Sequence, residues 1–493
     1  MNYSDSERVA SVLEELGYER ATSATADSAD ASATTDFLVL NTCSVKQKAE
    51  DRVLGLRREL AELKKKNPKM IIALTGCMTR KTSTHRSGED CPNCIAAKTQ
   101  PKKSACKPRE HRDPLLRRMP ELDIVFQIKD VAQLPELIRE LQHGPVAAQA
   151  ADNATATDGE GSVANYFKIA PFKENAAQVL VPIMAGCDKF CSYCIVPFAR
   201  GREVSRDFNE ILEECRRHVT EGALEITLVG QTVNSYGLSF NDRKSGHFEK
   251  WTADGKSPFA ALLREVDKLR ASGLRRLRFS SPHPRDFSDE LIQTLGELET
   301  ICPYIHMPIQ SGNDDVLRRM NRNYRTAEYM EIMHKIRKAI PGCAISTDLI
   351  IGFCGETEQE FEDTYKMYEE VEWDMCYPSR YSPRKGTYSE RKLKDDVSAD
   401  LKATRWHRLN DLLVKIMKKK HEAFVGKTVE VLVEKQEDGK CSGRTPHYKE
   451  VFFPAPSGEK SEENLIGKIV PVKVTASKGI FLEGNEISGK IQK

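Results

Sequence analysis

From residue 179 to residue 381 the chain repeats one pattern six times: a short strand-like apolar run, then a connection that mostly has helical spacing. The strand-like runs are 179–184, 225–229, 275–279, 304–309, 344–352 and 375–381, and helical patterns fill 209–221, 258–271, 325–340 and 356–370. Repeated strand-then-helix units make a parallel sheet or barrel, because each crossover returns the chain to the same end of the sheet. Such sheets carry their ligands at the carboxyl ends of the strands. Six units fall short of a closed eight-stranded barrel, so the expected core is a partial (β/α)6 barrel within an α/β protein.

The flanks read differently. Residues 1–143 form a small α/β unit: a helix over 4–18 with Val9, Val12, Leu13 and Leu16 on one face, then strands 37–40 and 70–74 separated by a charged helix over 46–66. A strand at 122–126 and a helix at 134–141 close it. Both early strands run into a cysteine, Cys43 and Cys77. Residues 21–35 read as a loop, and 144–164, rich in Ala, Thr, Gly and Asp, as a linker to a central domain over 165–420. After a long charged helix over 398–423, strand-like runs at 428–433, 451–453, 468–474 and 480–482 predict a small β-barrel over 421–493.

Composition narrows the setting. No run of about 18 apolar residues occurs, and residues 1–10 are polar where a signal peptide would be apolar, so a cytoplasmic protein with no membrane partner is expected. Seventy-five Lys and Arg against 73 Asp and Glu leave no overall basic field, so a nucleic-acid partner would be held by local patches. Fourteen cysteines without an export signal point to thiolates that bind metal or do redox chemistry rather than to a disulfide framework.

The sharpest motif is Gly186-Cys187-Asp-Lys-Phe-Cys191-Ser-Tyr-Cys194, directly after the first barrel strand. Iron–sulfur clusters usually take four thiolates; three in one loop would hold three irons of a cubane and leave the fourth open to a small molecule. A structural zinc site would want a fourth nearby Cys or His to close its tetrahedron, and the loop has none. The plainer alternative is a set of three buried structural cysteines.

This loop resembles the cluster loop of radical S-adenosylmethionine enzymes, whose open iron chelates the amino and carboxylate groups of the cofactor. Further runs resemble the methylthiotransferases of that superfamily: Val181-Pro-Ile-Met184, Val196-Pro-Phe-Ala-Arg-Gly-Arg-Glu-Val-Ser-Arg206, Leu228-Val-Gly-Gln231 with Val233-Asn-Ser-Tyr-Gly237, His306-Met-Pro-Ile-Gln-Ser-Gly312, Ser346-Thr-Asp-Leu-Ile-Ile-Gly-Phe353 and Tyr381-Ser-Pro-Arg384. The similarity is greatest to members that act on N(6)-dimethylallyladenosine at position 37 of tRNA, beside the anticodon. It implies that Cys187, Cys191 and Cys194 hold a [4Fe-4S] cluster that reduces S-adenosylmethionine to a 5′-deoxyadenosyl radical, which takes hydrogen from C2 of the adenine. It also implies a second [4Fe-4S] cluster in the N-terminal domain, which delivers a methylthio group whose methyl comes from another S-adenosylmethionine. A flavodoxin-like electron donor and the tRNA anticodon stem-loop are the implied partners.

The family's second cluster has three cysteine ligands. Two match Cys43 and Cys77, while the first is expected two residues before Met1, along with the strand leading into it; the upstream genomic frame should encode both. Residues 81–113 are an insert carrying Cys91, Cys94, Cys106 and His111, a spacing that can close a tetrahedral zinc site or belong to a solvated loop. By resemblance Gly230, Gln231, Asp348 and Gly352 shape the S-adenosylmethionine pocket, with tight turns after strands as the alternative. Arg200, Arg202, Arg206, Arg380 and Arg384 could contact tRNA phosphate or cofactor carboxylate, or form rim ion pairs. The tail resembles the TRAM RNA-binding module, in which Arg444, Tyr448 and Lys449 would combine phosphate contact with base stacking. Cys215, Cys302, Cys343, Cys354, Cys376 and Cys441 stand alone and read mostly as buried thiols. Two rival functions remain open: the same chemistry on threonylcarbamoyl-adenosine of tRNA or on a ribosomal-protein aspartate, and a non-catalytic RNA-binding metalloprotein.

Overall fold

The computed structural model describes residues 2–21, 35–42, 47–79, 82–84, 114–143, 159–171, 177–252, 256–456 and 463–487. The chain divides into two units, Met1–Lys173 with Ala185–Cys187 and Cys194–Val204, and Glu174–Met184 with Asp188–Tyr193 and Ser205–Lys493.

In the first unit β1 (Phe37–Thr42), β2 (Ile71–Gly76), β3 (Ser83–Thr84) and β4 (Ile124–Val125) form one sheet in the order β1-β2-β4-β3. β1, β2 and β4 run parallel, and β3 is antiparallel to β4. Every residue of β2 is buried. Its alternate residues serve two cores: Ile72 and Leu74 pack with Val53, Leu60 and Met119, whereas Ile71 and Ala73 pack with Val9, Val12 and Phe126. A strand covered on both faces reads as a continuous apolar run, which is why the sequence marks it so clearly.

Two expectations change here. The charged helix breaks at Leu56 into Gln47–Gly55 and Arg57–Lys66. The stretch expected as a linker ends in a helix, Gly159–Lys168, and the domain boundary expected at 165 falls inside it. Val163, Tyr166 and Phe167, spaced as on one helical face, sit in the first unit's core. Tyr166 also donates to Asp5 at 2.7 Å, and Arg200 pairs with the same carboxylate at 2.5 Å.

In the second unit β5 (Gln178–Pro182), β8 (Glu225–Val229) and β9 (Arg276–Phe279) form one parallel sheet, and β10 (Tyr304–His306), β11 (Ala344–Ile351) and β12 (Met375–Arg380) another. A parallel bridge from Leu277 to Ile301 continues the pairing from β9 toward β10, which completes the expected arrangement of six parallel strands. The short β6 (Met184–Ala185) and β7 (Val204–Ser205) pair with each other. Helices Phe208–Thr220, Pro258–Asp267, Asp289–Glu297, Thr326–Ala339 and Glu358–Val371 alternate with the strands. Several begin at a side-chain cap, with Asp207, Ser257, Ser288 and Thr357 accepting backbone N–H bonds that the first turn leaves unpaired.

Strand alternation then decides what each face does. Val179, Val181, Ile226, Leu228, Leu277, Ile305, Ile345 and Leu349 join the apolar core with the helices. The residues between them, Gln178, Glu225, Thr227, Arg276, Arg278, Tyr304, His306, Ser346 and Asp348, give the inner face a polar character. A polar interior makes a lumen suited to ligand rather than a filled core.

The long helix Ala399–Glu422 leads to a closed barrel of β13 (Thr428–Glu437), β14 (Lys440–Arg444), β15 (Glu450–Pro454), β16 (Ile469–Ser477) and β17 (Leu482–Glu486), ordered β13-β14-β15-β17-β16. β14 was not expected from the sequence: only Cys441 and Gly443 are buried in it, and the flanking Lys440, Ser442 and Arg444 hide the pattern. This small barrel docks on the amino ends of the large barrel's strands. Arg276 donates to the carbonyls of Arg444 and Glu430 at 2.8 and 3.1 Å, and Arg278 to those of Thr445 and Pro446, both at 3.0 Å. Among the described residues no helix is long and apolar enough to cross a membrane.

Candidate active site at the carboxyl ends of the barrel strands

With the amino ends covered by the small barrel, the opposite ends carry the chemistry-bearing loops. Cys187, Cys191 and Cys194 follow β5, and all three are partly exposed and outside any disulfide. Gly186 enters this loop at φ +76°, where a Cβ would lie 2.0 Å from the carbonyl oxygen of Arg202, so only glycine fits. The Cys187 N–H donates to Gly201 O at 3.3 Å. Cys191 Sγ accepts from Arg322 Nη1 at 3.2 Å.

Among the described residues no three Cys, His, Asp or Glu side chains converge as a ready metal site. The fit to an iron–sulfur cluster therefore rests on the donor set. Three soft thiol donors in eight residues, none of them in a disulfide, match three corners of a cubane.

Left-handed backbone recurs in the strand-end loops. Phe190 after β5, Ser281 after β9 and Gln310 after β10 adopt φ +48°, +57° and +78°, and Gly352 after β11 adopts +67°. Such strain in non-glycine residues concentrates at functional sites. Gln231, after β8, has a buried side-chain oxygen with no hydrogen-bond partner, an acceptor placed where a ligand donor could meet it. Gly230 and Gly352 are also constrained by packing. A Cβ at Gly230 would lie 2.5 Å from Met184 Cγ, and one at Gly352 2.3 Å from Lys402 Cγ, so at both positions a side chain of the chain itself would have to shift. The Gly352 N–H donates to Glu356 at 2.7 Å; burial pushes that carboxyl up to about 7 although Arg405 pairs with it at 2.8 Å.

Asp348 projects from the inner face of β11 with its side chain 41% exposed, and His306 Nε2 lies 3.3 Å from it. The other ring nitrogen of His306 meets Ser346 Oγ at 2.9 Å, and that hydroxyl meets Tyr304 Oη at 2.7 Å. Tyr377 faces His306 edge to face, with ring centroids 5.9 Å apart. The sequence reading did not single out this chain of His306, Ser346, Tyr304 and Tyr377. A signal was there: His306 opens one of the family-like runs at the end of a predicted strand.

Several other candidates have structural partners. Lys449 is buried and its ammonium bonds Asp374 at 2.9 Å, so it is not a free phosphate contact as expected. Arg444 pairs with Glu434 at 2.5 Å and lies over the ring of Tyr448, which stacks on Tyr304 at 4.7 Å. These three residues belong to the dock between the two barrels. Arg200 is buried against Asp5, Arg206 against Glu214, and Arg384 is also buried, whereas Arg202 and Arg380 are exposed. The isolated Cys215, Cys302, Cys343, Cys354, Cys376 and Cys441 are buried as expected, and burial pushes Cys302 up to about 11 and Cys343 to about 12.

In the first unit Thr42 pairs with Gly76, and Cys77, which follows Gly76, donates its N–H to Thr42 O at 2.9 Å. Cys77 is buried. Cys43, which follows Thr42 in sequence, and Cys91, Cys94, Cys106 and His111 of the expected zinc set lie outside the described residues.

Comparison with known proteins agrees with this layout. Family models match the Radical SAM superfamily over residues 181–368, the uncharacterized protein family UPF0004 over 1–91 and the TRAM domain over 422–485. The tRNA-2-methylthio-N(6)-dimethylallyladenosine synthase of Clostridium novyi (strain NT) is 36% identical over 490 residues, covering 99% of this chain and 94% of that relative. The enzyme of the same name from Bacillus subtilis (strain 168) is 36% identical over 495 residues, covering 100% of this chain and 85% of that relative. Among solved structures, the radical S-adenosylmethionine methyltransferase TsrM from Kitasatospora setae aligns over 77% of this chain and 70% of its own, with TM-score 0.50 and 14% identity, a likeness of fold. The chain belongs to the tRNA-2-methylthio-N(6)-dimethylallyladenosine synthase family of radical S-adenosylmethionine enzymes.

Proposed function

We propose that the protein attaches a methylthio group to C2 of N(6)-dimethylallyladenosine beside the anticodon of tRNA, in the cytoplasm, with one S-adenosylmethionine as methyl donor and another as radical source. The observation that carries this reading is the set of three cysteines on the loop after β5, none in a disulfide, with no fourth Cys or His in that loop. Cys187, Cys191 and Cys194 would hold one [4Fe-4S] cluster, and Cys43 and Cys77, which follow the paired strand ends of β1 and β2, would contribute to a second. When bound, the first cluster supplies the electron that cleaves S-adenosylmethionine, which provides a carbon radical for a C–H bond that no side-chain base can deprotonate.

The chain's own residues orient the base. Both ring nitrogens of His306 have partners, Ser346 and Asp348, so the imidazole is held in place and does not swing into the lumen. The exposed Asp348 carboxylate is an acceptor suited to the single N–H on a dimethylallylated N6, and the Tyr377 ring, 38% exposed, offers an apolar face. The reducing electron would come from a flavodoxin-like protein.

Anaerobic reconstitution with S-adenosylmethionine, a reductant and tRNA carrying N(6)-dimethylallyladenosine tests the reading. Nucleoside mass spectrometry should show the 2-methylthio product together with 5′-deoxyadenosine, and Cys191→Ala should bring both to background. Methylthiolation of threonylcarbamoyl-adenosine alone, or no 5′-deoxyadenosine from reduced protein, would overturn it.

A further inference from the structure

We infer that Arg322 is a positioning residue for the cluster loop: its hydrogen bond to Cys191 Sγ holds that sulfur in place and raises the reduction potential of the cluster that the sulfur would ligate. The inference rests on the reading of Cys187, Cys191 and Cys194 as cluster ligands.

Four consecutive residues grip the loop. Arg319 O accepts from Ser192 Oγ at 2.8 Å, Met320 O accepts from the Ser192 N–H at 2.9 Å, and Asn321 Nδ2 donates to Phe190 O at 2.9 Å. Arg322 completes the set and alone among the four reaches a sulfur, with Nη1 3.2 Å from Cys191 Sγ. Asn321, just before Arg322, has left-handed backbone at φ +58°.

The rest of the guanidinium is fixed. Nε donates to Tyr324 Oη at 2.9 Å and Nη2 to Pro308 O at 2.9 Å, while the Tyr324 hydroxyl donates to Ile309 O at 2.8 Å. The Tyr324 ring lies 5.2 Å from the guanidinium carbon. Arg322 is 8% exposed, and its hydrogen-bond partners include no carboxylate. A buried cation without a counter-charge is costly. Among its partners the Cys191 sulfur is the one that would carry cluster charge, and a rigid donor aimed at such a sulfur withdraws charge from it. Hydrogen bonds to cluster sulfurs are one of the protein's means of setting cluster potential, and removing one destabilises the oxidised form less than the reduced form.

The test is an EPR-monitored redox titration of the full-length, anaerobically reconstituted protein with Cys43→Ala and Cys77→Ala, so that only the barrel cluster reports. Arg322→Gln should keep its iron yet have a more negative midpoint potential, by at least the 59 mV that a tenfold change in a one-electron equilibrium represents. Arg322→Lys, which keeps the charge and one donor, should recover part of the shift, and it carries the test if the Gln variant does not hold a cluster. An unchanged potential with full iron content in Arg322→Gln, or in Arg322→Lys where the Gln variant holds no cluster, overturns the inference. So does weakened S-adenosylmethionine binding without a change in potential, which would make Arg322 a cofactor contact. If Cys191→Ala still holds a complete cubane, the ligand reading itself fails, a result distinct from a failure of Arg322.

Discussion

Gly186 and Gly230 show how differently two glycines of one site constrain it. At Gly186 the backbone is left-handed and the atom a methyl group would strike, Arg202 O, belongs to the backbone and cannot move aside. At Gly230 the backbone is ordinary and the obstacle is the flexible Met184 side chain. Gly186→Ala should therefore cost about 1–3 kcal/mol from backbone strain alone, with overpacking added, and should lower the iron bound per chain. Gly230→Ala should cost about 1 kcal/mol and leave iron content near normal, because a methionine can repack. Urea unfolding with iron analysis on both variants checks the ranking, and equal losses would refute it. The cysteine triad was legible in the sequence because its ligands lie within eight residues. Arg322 was not, because it lies 131 residues from Cys191 and no local pattern links the two.

The elements divide along the same line. Strands β8 and β11 were found because their period-2 alternation sets apolar residues against the helices, whereas β14 was missed because its outward residues are Lys440, Ser442 and Arg444. The helix Gly159–Lys168 was hidden by the polar, small-residue stretch that runs into it, although Val163, Tyr166 and Phe167 carry an apolar face. The dock between the barrels was illegible for another reason: Arg444, Tyr448 and Lys449 have the chemistry of an RNA contact, and only the fold shows that they also pack at the junction of the two barrels. Tyr448 supplies a direct test, since it sits at φ +62° while stacking on Tyr304 with rings 18° from parallel. Tyr448→Ala loses the stack and keeps the strain, so it should destabilise the second unit by about 1–2 kcal/mol. Tyr448→Gly loses the same stack but relieves the backbone, so it should cost less than the alanine variant. Thermal unfolding that shows no loss in the alanine variant would refute the packing role of Tyr448, and a glycine variant less stable than alanine would refute the strain.

For the molecule as a whole, a net charge of only +2 says little about pH response, which depends on a few buried groups. His421, near the end of the helix Ala399–Glu422, is 2% exposed and packed near Lys449 and Asp374. Burial pulls its pKa down to about 4, and Lys449 pulls in the same direction, against Asp374. Between about 6.5 and 4 the unfolded chain therefore holds a proton at this histidine that the folded chain does not. Stability should fall as pH drops through that window and change little above it on this account, by at most about 3 kcal/mol. Glu356 works the other way. Burial raises it to about 7, so between its ordinary 4.5 and 7 the folded chain holds the extra proton, and that term favours the folded state as pH falls. The two terms oppose each other in the parent protein, and only a difference measurement separates them. The stability of the parent minus that of His421→Gln cancels Glu356 and should become more unfavourable to the parent from pH 7 to pH 5. All three tryptophans, Trp251, Trp373 and Trp406, lie in the second unit, so urea unfolding followed by tryptophan fluorescence reports on the relevant body. A difference that stays flat across that range would mean that the folded protein accommodates a charged imidazole at 421, and the buried junction of the two barrels would not be the acid-sensitive part of this enzyme.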